Sequence, residues 1–150
     1  MKDLVVGQVL SLKIRFNNYG DIAQKKHPYL IVDIDEVLGL VEIAQLDTLK
    51  GKEYKAMMKS NKVIYCDNPC ETVIDKDSYV QLDNSFQLEY FENLSRYRRQ
   101  TAILSKCKLN EVLEAYHNYH GVNEIDDAKI VFMSKAEIMK LNPFTYCETR

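Results

Sequence analysis

The chain has 150 residues, 46% apolar and 28% charged, enough for one compact domain with its own core and short for two. A formal charge of −2 supplies no global field drawing it to nucleic acid, and it lacks the run of about 18 apolar residues that would span a membrane. The amino-terminal MKDLVVGQVLSLKIRF carries charges at Lys2, Asp3, Lys13 and Arg15 and has no small-residue cleavage site, and the cysteines at 66, 70, 107 and 147 are too scattered for a disulfide scaffold. The expectation is a reduced, cytoplasmic protein with no membrane and no DNA partner.

Gln8 to Phe16 alternates, with Leu10, Leu12, Ile14 and Phe16 on one face and Ser11, Lys13 and Arg15 on the other, which predicts a half-buried strand. Asn17-Asn18-Tyr19-Gly20-Asp21 is turn chemistry. A long loop then runs to Pro28, which suits the first residue of a strand and biases His27 to an extended backbone. Tyr29 to Val32 and Leu40 to Leu46, separated by an acidic turn ending in Gly39, read as a hairpin. Asp47-Thr48-Leu49-Lys50 leaves its second strand, so a hydroxyl and an ammonium are offered to one anion from a rigid base.

Beyond Lys50, Glu53 to Met58 suggests a helical turn, Val63 to Tyr65 and Glu71 to Ile74 short extended segments, and Ser78 to Glu89 a long strand broken near Asp83-Asn84 by a bulge or bend. From Leu104 the period becomes helical: Leu109, Val112, Leu113 and Tyr116 share a face that stops at Gly121. Ser134-Lys135-Ala136-Glu137 has the capping-box pattern of a second short helix, ended by Pro143. Strands first and helices last predict an α+β fold, with about six short strands curled into a small, strongly twisted antiparallel β-barrel. The barrel would cover about 7–90, a helical part 91–143 and a tail 144–150, in a single domain.

Charge is locally uneven. Lys50, Lys52, Lys55, Lys59 and Lys62 share a stretch whose one acid is Glu53; Lys25, Lys26 and His27 form a second group, and Arg96, Arg98 and Arg99 a third. One such run alone is as readily a solvated loop face; three on a small acidic protein favour a polyanionic partner.

Several of these features together resemble a known group. Gly7-Gln8-Val9 opening a strand, a long loop ending in a basic residue and Pro28, a hydrophobic hairpin, a Thr at its end and the later DSYVQLDNSFQL are similar to the MazF/PemK endoribonuclease toxins, over roughly residues 7 to 120. Within that superfamily Asp47-Thr48-Leu49-Lys50 looks more like the RNA-inhibited type III toxins ToxN and CptN, whose loop has two small polar residues, a spacer and a lysine. Thr48 and Lys50 match the second hydroxyl and the lysine, whereas Asp47 departs from the first hydroxyl. Lys26 or His27 stands where the relatives carry an arginine or a lysine.

The resemblance implies an SH3-like barrel and an enzyme that cuts mRNA without a cofactor or metal. It also implies restraint by a folded, pseudoknotted antitoxin RNA from a repeat transcript. Metal-free cleavage needs a base for the 2′-hydroxyl, cations for the phosphoryl oxygens and an acid for the 5′-oxygen. Lys50 would stabilise charge on the phosphate, Thr48 would hydrogen-bond a nonbridging oxygen, His27 or Lys26 would move protons, and Asp47 would orient His27 or a lysine. Lys13, Arg15, Lys25, Lys52, Lys55, Lys59, Lys62, Arg96, Arg98 and Arg99 would bind RNA. Other readings stay open: a MazF-type enzyme held by a protein antitoxin, a non-enzymatic barrel binding through Tyr19, Tyr29 and Tyr54, an ordinary Asx or Thr turn at Asp47-Thr48, and a zinc site from Cys66, Cys70, His117 and His120.

Overall fold

The structure, a computed structural model, describes residues 3–144. Cys147, Lys2 and the expected tail beyond Phe144 lie outside the described residues. The strands are β1 (Val9–Leu12), β2 (His27–Asp35), β3 (Leu40–Thr48), β4 (Asn61–Ile64), β5 (Ser78–Gln81), β6 (Ser85–Glu89) and β7 (Ile130–Met133). The helices are α1 (Lys106–Val122) and α2 (Lys135–Leu141), with 3-10 turns at Glu53–Met57, Glu92–Tyr97 and Asp127–Lys129.

The α+β class is as expected, but the strands do not close into a barrel. They form one open sheet in the order β1-β2-β3-β5-β4, with β6 also on β3 and β7 parallel to β6 while every other pair is antiparallel. Closure would need the outer strands to pair with each other. Instead the free edge of β1 takes up Arg98 and Arg99, through a bridge from Leu10 to Arg98 and the Arg99 amide donating to the Val9 carbonyl at 3.0 Å.

The bend expected near Asp83-Asn84 divides one long strand. β5 runs along Leu46–Thr48 and β6 along Leu40–Ile43 of the same neighbour, β3. The Glu71–Ile74 segment is not a strand. Its apolar pattern marks burial of Val73 and Ile74, while the Glu71 carboxylate, accepting from the Val73 and Ser105 amides at 2.9 and 3.0 Å, does the work of a ladder. β1 stops at Leu12 because the buried Asn142 side chain takes over there, accepting from Lys13 N at 2.6 Å and donating to Lys13 O at 2.8 Å. Phe16, expected inside, is 41% exposed.

Alternation along β2 and β3 feeds two cores, one on each face. Tyr29, Ile31, Val41 and Ile43 join Leu10, Leu12 and Ile14 beneath α2, whereas Leu30, Val32, Ala44 and Leu46 join Val9, Val80 and the Val112 and Tyr116 side chains of α1. Burial on both faces explains why YLIV reads as a continuous apolar run. Gly7, with φ +98°, sits so close to this scaffold that a Cβ would lie 2.5 Å from Ile103, and the buried Gln8 ties Val5 N to Thr101 O through its side-chain amide. No helix among the described residues is long and apolar enough to cross a membrane.

Candidate active site at the end of β3

Thr48 ends β3 opposite Ser78, and the Leu49 amide donates to the Asp77 carbonyl at 3.0 Å, so the strand holds its position until the loop begins. Because Ala44 and Leu46 point to the α1-side core, Thr48 emerges on that side too. It is exposed there, in a groove of about 370 Å3 with Ser11, Pro28, Asp75, Ser78 and Arg99. Arg99 is delivered by the segment added to the edge of β1. Ser11 also walls a smaller hollow of about 160 Å3 with Lys26, Arg96, Arg98 and Phe144. The two depressions meet at Ser11, giving a strip with hydroxyls at its centre and cations along it.

Within the strip, the Thr48 hydroxyl and the Arg99 guanidinium have no side-chain hydrogen bond or ion pair among the described residues, so both are open to a ligand. Arg96 stacks its guanidinium over the Phe144 ring at 4.5 Å, and Arg98 donates to the Asp3 carbonyl. The Ser78 hydroxyl is buried and already donates to Lys76 O at 2.8 Å.

Asp47 is the fixed point of the loop. One carboxylate oxygen accepts the Thr48 amide at 2.8 Å; the other accepts Lys52 Nζ at 2.7 Å and the Tyr79 hydroxyl at 3.3 Å. Burial opposes its charge, yet these donors, with Lys52 foremost, outweigh burial and hold the carboxyl below the usual range. The hydrogen bond to Asp47 raises Lys52 in turn, and burial followed by the Asp47 charge raises Tyr79.

The remaining expected site residues are spread more widely. Half-buried His27 faces the opposite side of the sheet, in a hollow of about 750 Å3 with Phe16, Lys25, Tyr29 and Gln45. Lys50 is exposed and opens on a fourth depression with Glu53, Tyr65, Lys76 and Asp77. Arg15 is taken up by Glu137, Nε to Oε2 at 2.8 Å, and by Phe132 O and Asn18 Oδ1 at 2.7 and 2.9 Å. Lys55 lies 5.4 Å from the Tyr54 ring centroid; Lys13 and Lys62 are half-buried and Lys59 exposed. Thus Thr48, Asp47 and Arg99 gather at the groove with Lys26, Arg96 and Arg98 alongside, whereas His27, Lys50, Lys13, Arg15 and the 55–62 lysines do not line it. Sequence reasoning left Ser11 and Asp75 out of the site. Their only signal was polarity, and their meeting with Thr48 depends on the packing of the 73–78 loop and on β1.

The cysteine and histidine motif is dispersed as well. Cys66 Sγ donates to Ile74 O at 3.4 Å, and His120 stacks on Tyr116 with ring centroids 4.1 Å apart while its Nε2 lies 2.8 Å from Leu82 O. Among the described residues no three His, Cys, Asp or Glu side chains converge as a metal site.

No protein-family model matches the chain, and no curated protein shows significant similarity to it. The fold is nevertheless similar to that of a solved structure. An endoribonuclease in complex with its cognate antitoxin, from a mycobacterial species, is similar at a TM-score of 0.50 and 16% identity, over 81% of this chain and 98% of that one. At that identity the likeness is one of fold.

Proposed function

We propose that the chain is a toxin endoribonuclease that cuts single-stranded RNA without a metal and is held inactive by an antitoxin RNA. The observation that carries this is the convergence of an unoccupied hydroxyl, Thr48, and an unpaired guanidinium, Arg99, in one groove, with Lys26, Arg96 and Arg98 beside it. The fold likeness to an endoribonuclease supports the same class. In the reaction a 2′-oxygen bonds to phosphorus as the bond from phosphorus to the 5′-oxygen breaks. Arg99 binds the phosphoryl oxygens as charge grows on them, and Thr48 donates to a nonbridging oxygen. Asp75, a groove carboxylate without an ion pair among the described residues, accepts the 2′ proton, and the Lys26 ammonium protonates the leaving 5′-oxygen. Asp47 positions Thr48 rather than His27. Lys50 adds charge from the loop that Thr48 begins.

A folded RNA as inhibitor is supported by the breadth of basic surface, from Lys26 and the arginines to Lys50, Lys55 and Lys59, which exceeds what a few nucleotides need. A protein antitoxin is the second reading. It is favoured by the large apolar side chains exposed after β3, where Tyr54, Met57 and Tyr65 are 66%, 86% and 55% accessible. Purification from cells expressing the chain with its flanking DNA separates the two. We expect a stoichiometric short RNA of defined length that high salt strips away. A small protein in its place, with no RNA, would decide for the second reading.

A further inference from the structure

The side of the sheet away from Thr48 carries a second set of features. The 750 Å3 hollow beside His27 adjoins another of about 420 Å3, and both are walled by Phe16 and Gln45. Phe16 is 41% exposed, and Tyr19, lining the second hollow, is 80% exposed, so two aromatic faces open to solvent in one furrow. Gln45 makes no side-chain hydrogen bond among the described residues, which leaves both its amide donor and its acceptor available. Lys25 and His27 stand at one end. An aromatic face, an amide without a side-chain partner and the Lys25 ammonium are what a flipped-out base, its edge and its phosphate respectively require. A purely aliphatic ligand would have no use for the free amide beside the ring.

We propose that this furrow takes an unpaired nucleobase of RNA, stacked on Phe16 and read along its edge by Gln45. The site rests on the RNA-cleaving function proposed above, and deepens it by supplying base selection, whereas the groups of the Thr48 groove are assigned there to the phosphate and its protons. Gln45 precedes Thr48 by three residues on a rigid strand, about 10 Å. His27 and Pro28, neighbours in sequence, open on the furrow and the groove respectively. A short unstacked stretch of RNA passing over the ends of β2 and β3 therefore reaches both. Selection is set close to the cut.

The test is equilibrium binding of fluorescent single-stranded RNA oligonucleotides that differ in one base or carry an abasic site there, at fixed salt. It uses the wild-type protein, Phe16→Ala and Gln45→Ala, each checked for an unchanged far-UV spectrum. Phe16 is exposed and half-buried Gln45 makes no side-chain hydrogen bond among the described residues, so folding should survive. We expect Phe16→Ala to weaken base-containing RNA about tenfold, the size of one lost stack, with little change for the abasic strand. Gln45→Ala should erase the difference between bases. Equal affinity and equal preference in all three proteins would overturn the proposal. So would variants that bind RNA normally yet lose a copurifying protein, which would make the furrow a protein-docking site. A wild type that binds with base preference yet leaves the same oligonucleotides intact on a gel would sink the endoribonuclease function and leave this inference standing.

Discussion

Lys52 Nζ lies 2.7 Å from Asp47 Oδ2. The pair sits where β3 gives way to its loop, and the other oxygen of Asp47 holds the amide of Thr48. The arrangement has a predictable pH signature. Asp47 is depressed below its ordinary 3.8, so its stabilising charge is fully present above that value and is lost as pH falls through the lower, folded one. Asp47→Asn should cost about 1 kcal/mol at neutral pH, as a partly exposed pair does, and the gap to wild type should close in strong acid. Thermal midpoints of the two proteins from pH 7 to pH 2 would show this; curves that stay parallel throughout would mean that the pair does not stabilise the loop.

Which cation serves the phosphate can be read by comparing two variants. Arg99→Ala should lower the cleavage rate about a hundredfold, the usual cost of removing one preorganised donor to a developing oxyanion. Lys50→Ala should lower it less, because that ammonium opens on the neighbouring depression. Single-turnover rates on one RNA rank them, and the reverse order would move the phosphate toward Lys50.

Arg15 illustrates how a predicted contact can change character. Its guanidinium joins Glu137 of α2 to the carbonyl of Phe132 in β7, so it should matter to stability and not to RNA. We expect Arg15→Ala to lose about 2 kcal/mol, since charged hydrogen bonds would be left unmade, and to leave RNA affinity at a given salt unchanged. A stable variant with weakened RNA binding would return Arg15 to the interface.

If a folded RNA covers the basic strip, affinity must fall steeply with salt. Neutralising six or more phosphates implies a loss of about a thousandfold between 50 and 200 mM salt. A nearly flat dependence would limit the contacts to one or two phosphates and exclude a large RNA inhibitor.

Much of this molecule can be read from its residues, where local chemistry is strong. The hairpin of β2 and β3, the Ser134 cap and the break at Asp83-Asn84 each follow from short-range pattern. The open sheet does not, because it turns on what occupies the free edge of β1, and Arg98 and Arg99 arrive there from far along the chain. Nor does β7: four residues in a helical region, paired parallel with β6, carry too little periodicity to stand out. Similarly, Thr48 is legible as a strand-end hydroxyl, but its company is not. Parity alone puts His27 on one side of the sheet and Pro28 on the other, and a motif written as a string hides that.

We propose that Thr48 works in an RNA-cleaving groove by chemistry that needs no metal. This is tested most directly by incubating wild-type protein and Thr48→Ala with one single-stranded RNA in excess EDTA and identifying the product ends. Wild type should yield 2′,3′-cyclic phosphate and 5′-hydroxyl ends, and Thr48→Ala, equally stable, should be slower by about a hundredfold or more. Equal rates for the two proteins, or wild-type cleavage abolished by EDTA and restored by added magnesium or zinc, would contradict it.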